Sequence, residues 1–137
     1  MKSLHTLLKV AQRRMDELGI EAVRVGQHVD QLRMQEASIL AREETEVALA
    51  EKDPQFAPML PAYRARVKVE AQEVRRQIGE RETQLAEVRV LLNVAYQEKA
   101  KFEHLIAQEA IRITTERAAK EQAMLDEVAI NRAGAAD

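Results

Sequence analysis

The residue types that most often bind metals or carry out catalysis are few and scattered in this chain. It contains three histidines, His5, His28 and His104, and no cysteine. A metal centre needs several ligands at close spacing, such as the Glu-x-x-His pairs of di-iron bundles, and no such pair occurs. Phosphate-binding loops of the GxxxxGKS/T or GxGxxG type are also absent. We therefore predict no catalytic residue, no metal site and no cofactor, and we expect a protein that is not an enzyme.

The charged residues nearly balance one another. They form 32% of the chain, but 21 basic residues against 23 acidic residues leave a formal net charge of -2. Nucleic-acid-binding domains usually carry a strongly basic face, so nucleic acid is not an expected partner. No stretch approaches 18 consecutive apolar residues and no secretory signal is recognisable, which predicts a cytoplasmic protein without a membrane span.

Composition and proline placement predict the elements that carry these residues. More than half of the chain is Ala, Glu, Arg, Leu or Lys, a composition typical of long helices and coiled coils. The three prolines, Pro54, Pro58 and Pro61, fall within eight residues, and proline interrupts helical hydrogen bonding. The sequence therefore predicts one helical hairpin over residues 1–137, with a helix at 3–53, a turn at 54–61, a helix at 62–132 and a short tail.

Both predicted helices show a coiled-coil repeat. Apolar residues recur at alternating spacings of four and three, from Leu4 to Ile39 in the first helix and from Val67 to Ile113 in the second. This spacing is typical of the a and d positions of a heptad. We therefore expect an all-α fold in which two long helices form an antiparallel coiled-coil hairpin and the second helix is the longer.

Charged residues inside the repeat suggest how the helices align. If paired residue numbers add to 117, Ile39 faces Ile78 and Glu36 faces Arg81, whereas a slip of one heptad separates those opposite charges. The same register leaves the first residue opposite position 116. The second helix is therefore expected to overhang at the end that carries both termini.

Two apolar clusters are candidate binding surfaces. On the predicted overhang, Met124, Leu125, Val128 and Ala129 form a stripe that has no partner inside the hairpin, which indicates either a docking surface or a frayed end. A second cluster lies at the turn, where it either packs on itself or binds a partner. It consists of Phe56, Met59, Leu60 and Tyr63.

Two stretches resemble the FliJ-type flagellar export proteins, which are antiparallel coiled-coil hairpins. They are LLKVAQRRMDELG at residues 7–19 and EQAMLDEVAINR at residues 121–132, with Leu-Asp-Glu at 125–127. The resemblance implies a cytoplasmic component of the flagellar type III protein export apparatus that acts as a stalk in the pore of the hexameric export ATPase. It also implies an escort role toward export chaperones and contact with the export gate, and hence a location peripheral to the membrane-embedded apparatus.

By the same analogy, the end that carries both termini enters the ATPase ring, where arginines can form charge-assisted bonds with carboxylates of the pore. The residues implied at the ring are Arg13, Arg14, Arg112, Arg117, Met124, Leu125, Asp126, Glu127 and Val128. The turn cluster of Phe56, Met59, Leu60 and Tyr63 is then the surface for the export gate. A stalk of this kind promotes assembly and activity of the ring without doing chemistry itself.

A structural coiled-coil adaptor is the alternative, a chain that self-associates into a four-helix dimer and has no ATPase partner. Gly19 and Gly26 lie seven residues apart on one flank of the first helix, where a second copy can approach closely. A holdase of the prefoldin kind is less favoured, because no β-hairpin signal lies between the helices.

Overall fold

The structure, a computed structural model, describes residues 1–136 and contains two long helices. Helix α1 spans Lys2–Lys52 and helix α2 spans Leu60–Ala136. The turn between them includes a 3-10 helix at Ala57–Met59, and no strand occurs among residues 1–136. The expected all-α helical hairpin with a longer second helix is confirmed.

The turn is shorter than the proline cluster. The Asp53 carboxylate accepts a hydrogen bond from the Gln55 amide (N to Oδ1, 3.1 Å), and the Phe56 amide donates to the Asp53 carbonyl (3.1 Å). Pro58 lies in the 3-10 helix and Pro61 is the second residue of α2. A proline in the first turn of a helix costs no helical hydrogen bond, because the N–H groups there have no intrahelical acceptor. Helix α2 therefore begins two residues earlier than predicted.

The chain divides into two compact units. Residues 16–93, which include the turn, form one unit, here called the turn unit. Residues 1–15 and the part of α2 from Val94 onward form the other, here called the terminal unit.

The core of the turn unit lies where the heptad repeat predicts it. Ile39 is 1% exposed, and it belongs to a buried cluster with Val67, Ala71 and Val74. Apart from Ala50, every buried apolar side chain of this unit belongs to the predicted a and d positions, hereafter the seam. Ala50 continues the same phase toward the turn. Burial of these positions on both helices is the packing expected of a two-helix coiled coil.

Three ion pairs connect α1 to α2 within the turn unit. They are Arg33 with Glu82, Glu36 with Arg75 (3.7 Å), and Arg42 with Glu70 (3.1 Å). As the residue number rises along α1, the number of its partner falls along α2. The two helices are therefore antiparallel in this unit.

The predicted pairing of Glu36 with Arg81 is wrong. Glu36 pairs with Arg75, and Arg81 instead donates to Gln84 on its own helix (Nη1 to Oε1, 2.9 Å). Across the three cross-helix pairs, the residue numbers add to between 111 and 115, below the predicted 117. The physical reason is the short turn: helices that end at residue 52 and begin at residue 60 centre the hairpin near 56, one to two residues before the middle of the proline cluster.

In the terminal unit, the packed part of α2 ends at Ile113. Ala11 and Ala95 are buried, and Ile113 is the last half-buried side chain among the described residues. Every side chain of residues 114–135 is exposed, although α2 stays helical to Ala136, beyond its predicted end. We call residues 114–135 the terminal segment.

The buried seam does not continue beyond Ile113. Continuing the heptad phase places five exposed side chains at a and d positions, Glu116, Lys120, Ala123, Glu127 and Ile130. Charged residues also occupy seam positions of the packed region, such as Arg81 and Glu109, so charge alone does not end the packing. The expected stretch of α2 without a partner in the described hairpin is present and begins at Thr114.

Candidate partner-binding surfaces

The structure separates the two predicted surfaces. All nine residues that the resemblance implies for an ATPase ring lie in the terminal unit, and all four residues of the turn cluster lie in the turn unit. Each surface is therefore built by one unit alone.

The apolar side chains of the terminal segment are strongly exposed. Met124 is 67% exposed, Leu125 is 65% exposed and Val128 is 47% exposed. Ile130 is equally open, at 69%, although it lies off the stripe predicted from the sequence. Large apolar side chains clustered on a surface are a common mark of a protein interface.

The two acidic residues of the Leu-Asp-Glu stretch have different surroundings. The Asp126 carboxylate accepts a hydrogen bond from the Gln122 amide one helical turn earlier (Nε2 to Oδ1, 3.0 Å). Glu127 is exposed and occupies a continuation of the seam. Both carboxylates lie beside the apolar stripe, so a partner that covers Met124 and Val128 also meets negative charge.

Arg112 is held by its own helix. Its guanidinium donates to Glu109 one turn before it (Nε to Oε2, 3.0 Å) and to Glu116 one turn after it (Nη1 to Oε1, 2.5 Å). The hydrogen bond from Arg112 lowers the pKa of the Glu109 carboxyl, and these two carboxylates raise the pKa of Arg112. Most donors of Arg112 are thus already used, so it braces α2 and is a weak candidate for contact with a ring.

The other three arginines implied at the ring are open to solvent. Arg13, Arg14 and Arg117 are exposed, and none of them forms an ion pair with another described residue. The spacing Glu109-Arg112-Glu116, at i, i+3 and i+7, is the sequence signal for the ion pairs that hold Arg112 on its own helix. The three free arginines keep their donors available for a partner.

The turn cluster forms one cavity. All four of its residues line a surface cavity of about 370 Å³, together with Leu49 and Ala50 of α1. Phe56 and Met59 are exposed, whereas Leu60 and Tyr63 are half-buried, and Tyr63 packs against the core of the unit. The cluster therefore packs partly on itself and leaves an apolar depression open.

The rim of this cavity is charged but balanced. Glu46 and Asp53 supply two carboxylates, and Lys52 and Arg66 supply two cations. With two charges of each sign, the rim has no excess of either charge.

The described residues contain no cluster of metal ligands. Among residues 1–136, no group of three or more His, Asp or Glu side chains lies close enough to hold a metal ion. Within residues 1–136, neither helix contains an 18-residue stretch apolar enough to cross a bilayer.

The chain matches no protein-family model, no curated protein and no solved structure.

Proposed function

We propose that the protein is a non-enzymatic component of the flagellar type III export apparatus, a coiled-coil stalk that engages the pore of the hexameric export ATPase. The observation that carries the proposal is the terminal segment, a helix of 22 exposed residues with three neighbouring large apolar side chains. The likeness of residues 7–19 and 121–132 to FliJ-type proteins supports the same assignment, since both stretches contribute to the terminal unit.

The proposed mechanism is mechanical. A single helical stalk inside a ring of six similar subunits contacts them unequally, so it stabilises some arrangements of the nucleotide sites over others. Met124, Leu125 and Val128 supply apolar anchors, and Arg117 supplies a free cation for carboxylates of the pore. The stalk thereby promotes ring assembly and ATP hydrolysis while catalysing nothing itself.

The test is a triple substitution of the stripe, Met124→Ser, Leu125→Ser and Val128→Ser. These side chains are exposed, so the far-ultraviolet circular dichroism and the unfolding midpoint of the hairpin should change little. Each apolar anchor lost at a partner contact costs on the order of 1 to 2 kcal/mol. Co-sedimentation with a purified flagellar export ATPase, and stimulation of its ATP hydrolysis, should fall at least about tenfold.

A matched control removes three exposed apolar side chains elsewhere. Ile20, Val23 and Met34 are 71%, 59% and 73% exposed and lie in the turn unit. The variant with Ser at these three positions should stimulate the ATPase like the parent chain. If the stripe variant stimulates as well as the control, the terminal segment is not the ring-binding surface.

The turn cavity is the proposed contact for the export gate. Its open apolar depression, with Phe56 and Met59 exposed beside it, supports this assignment. Phe56→Ala with Met59→Ala should weaken recovery of the gate protein in a pull-down while leaving ATPase stimulation unchanged. Loss of stimulation instead would move the ring contact to the turn.

In this proposal the protein is cytoplasmic, sits peripherally at the membrane-embedded gate and escorts export chaperones to it.

A self-associating coiled-coil adaptor is the second candidate, favoured by apolar side chains exposed outside the terminal segment. Val69, Val90 and Tyr96 on α2, and Met34 on α1, are all exposed. Around Gly19 and Gly26, an added methyl group would meet no atom within 4 Å, so that flank is uncovered. Sedimentation velocity of the chain measures whether it dimerises, and the ATPase assay measures stimulation. A tight dimer that neither binds nor stimulates the ATPase supports the adaptor.

A further inference from the structure

A second cavity of the turn unit is polar and rich in hydrogen-bond donors. It has a volume of about 430 Å³ and lies between α1 and α2. Four of its lining residues are spaced i, i+3, i+4 and i+7 on one face of α1, and two come from α2. The polar lining residues are Arg24, Gln27, His28, Gln31, Arg81 and Gln84, with no carboxylate among them.

The positive charge of Arg81 is not neutralised in the described structure. Arg81 is half-buried and donates only to the neutral amide oxygen of Gln84. The carboxylates that flank it in sequence serve other arginines, since Glu80 pairs with Arg76 and Glu82 pairs with Arg33.

Two further acids, one before and one after the cavity residues of α1, are also paired. Glu36, the partner expected from sequence, pairs with Arg75, and Glu21 holds Arg24 with two hydrogen bonds (2.6 and 2.7 Å). Arg24 is therefore largely neutralised. The surplus charge beside the cavity belongs to Arg81.

We propose that this cavity binds an oxyanion, a carboxylate or a phosphate group, with Arg81 as its charged anchor. A guanidinium has five N–H donors in a fork that fits two oxygens of such a group. Arg81 spends one donor on Gln84, and the side-chain amides of Gln27 and Gln31 add neutral donors at the cavity wall. This site is independent of the proposed export function.

The experiment is an NMR titration of the full chain with side-chain labels on histidine, glutamine and arginine. One arm adds sodium phosphate, a second adds a short glutamate peptide, and a third adds sodium chloride at equal ionic strength. Saturable shifts of the His28 and Gln84 signals are expected with phosphate, with the peptide or with both. The arm that saturates identifies the source of the oxyanion, and shifts no larger than those in chloride overturn the proposal.

Three variants, one of them a control, separate a built site from general electrostatics. Arg81→Gln should weaken binding at least about tenfold, and Arg81→Lys, which keeps the charge without the fork, should fall between Arg81→Gln and the parent chain. Arg89→Gln is the control, because Arg89 is an exposed arginine of the same helix that does not line the cavity. Equal weakening in Arg89→Gln overturns the proposal, as does unchanged binding in Arg81→Gln when its helicity matches the parent.

Discussion

The turn unit and the terminal segment are both helical but differ in the burial of their side chains. In the turn unit, seam positions hold residues such as Ile39 and Val74, and these are buried between α1 and α2. In the terminal segment, the same heptad phase holds Glu116, Lys120, Ala123, Glu127 and Ile130, and every side chain is exposed. Helix propensity is high in both regions. The occupants of a and d alone therefore do not decide whether a stretch of α2 is buried, since Glu36 and Arg81 hold half-buried seam positions. Burial also needs a facing stretch of α1, which the terminal segment lacks in the described hairpin.

The largest expected effect is a core truncation in the turn unit. Ile39→Ala should lower the free energy of unfolding by about 2 to 5 kcal/mol, because it leaves a cavity in the seam. Met124→Ala in the terminal segment should change it by no more than about 0.5 kcal/mol. Chemical denaturation of both variants measures the contrast. Similar losses in the two variants would mean that Met124 is packed in solution.

Replacing one glycine by alanine in each region compares the turn unit with the terminal segment. At Gly19 and at Gly134, an added methyl group meets no atom within 4 Å. Gly19→Ala should stabilise the protein by about 0.5 to 1 kcal/mol, because alanine loses less backbone entropy in a helix. Gly134→Ala should leave the unfolding free energy nearly unchanged, since the end of the terminal segment contributes little to cooperative unfolding. Destabilisation by Gly19→Ala would indicate that its flank is covered by a second copy.

A smaller effect tests the alignment of the turn unit. Glu36 and Arg75 are partly exposed, so a double-mutant cycle with alanine at both positions should show a favourable coupling of about 0.2 to 1 kcal/mol. The parallel cycle of Glu36 with Arg81 should show none. A reversal of the two couplings would restore the alignment in which paired numbers add to 117.

The smallest expected effect is a pH response of the turn unit. The hydrogen bonds that Glu73 accepts, first from Arg76 and then from Gln77, lower the pKa of Glu73 from 4.5 to about 2. A lowered pKa means that the interaction is complete above pH 4.5 and is lost as the pH falls through about 2. The side chains are exposed, so global stability changes little and the carboxyl signal of Glu73 in an NMR titration is the measurement.

The matched variant for this titration is Arg76→Gln, which should return the pKa of Glu73 toward 4.5. In the terminal unit, the hydrogen bond from Arg112 lowers the pKa of Glu109 in the same way. Arg76→Gln should leave the pKa of Glu109 unchanged, so Glu109 is an internal reference. A titration midpoint near pH 4.5 for the Glu73 carboxyl in the parent chain would contradict the hydrogen bond from Arg76.

Sequence alone determined which residues can be buried and where the turn and its apolar cluster lie. The spacing of four and three placed Ile39, Val67 and Val74 in the core, since a heptad repeat puts these positions on one face of each helix. Proline placement located the hairpin turn, and the turn cluster did assemble into one cavity. Each of these outcomes depends on residues close together in the chain, which is why local pattern was sufficient.

Only the tertiary structure decided how α1 and α2 align. A heptad seam is nearly unchanged by a slip of seven residues, so the repeat cannot select one register. The length of the turn made that selection and brought Arg75, not Arg81, to Glu36. Arg81 was thereby left half-buried beside a polar cavity. Long arginine side chains reach several positions across a seam, so the acid that each one meets is decided by backbone placement in three dimensions.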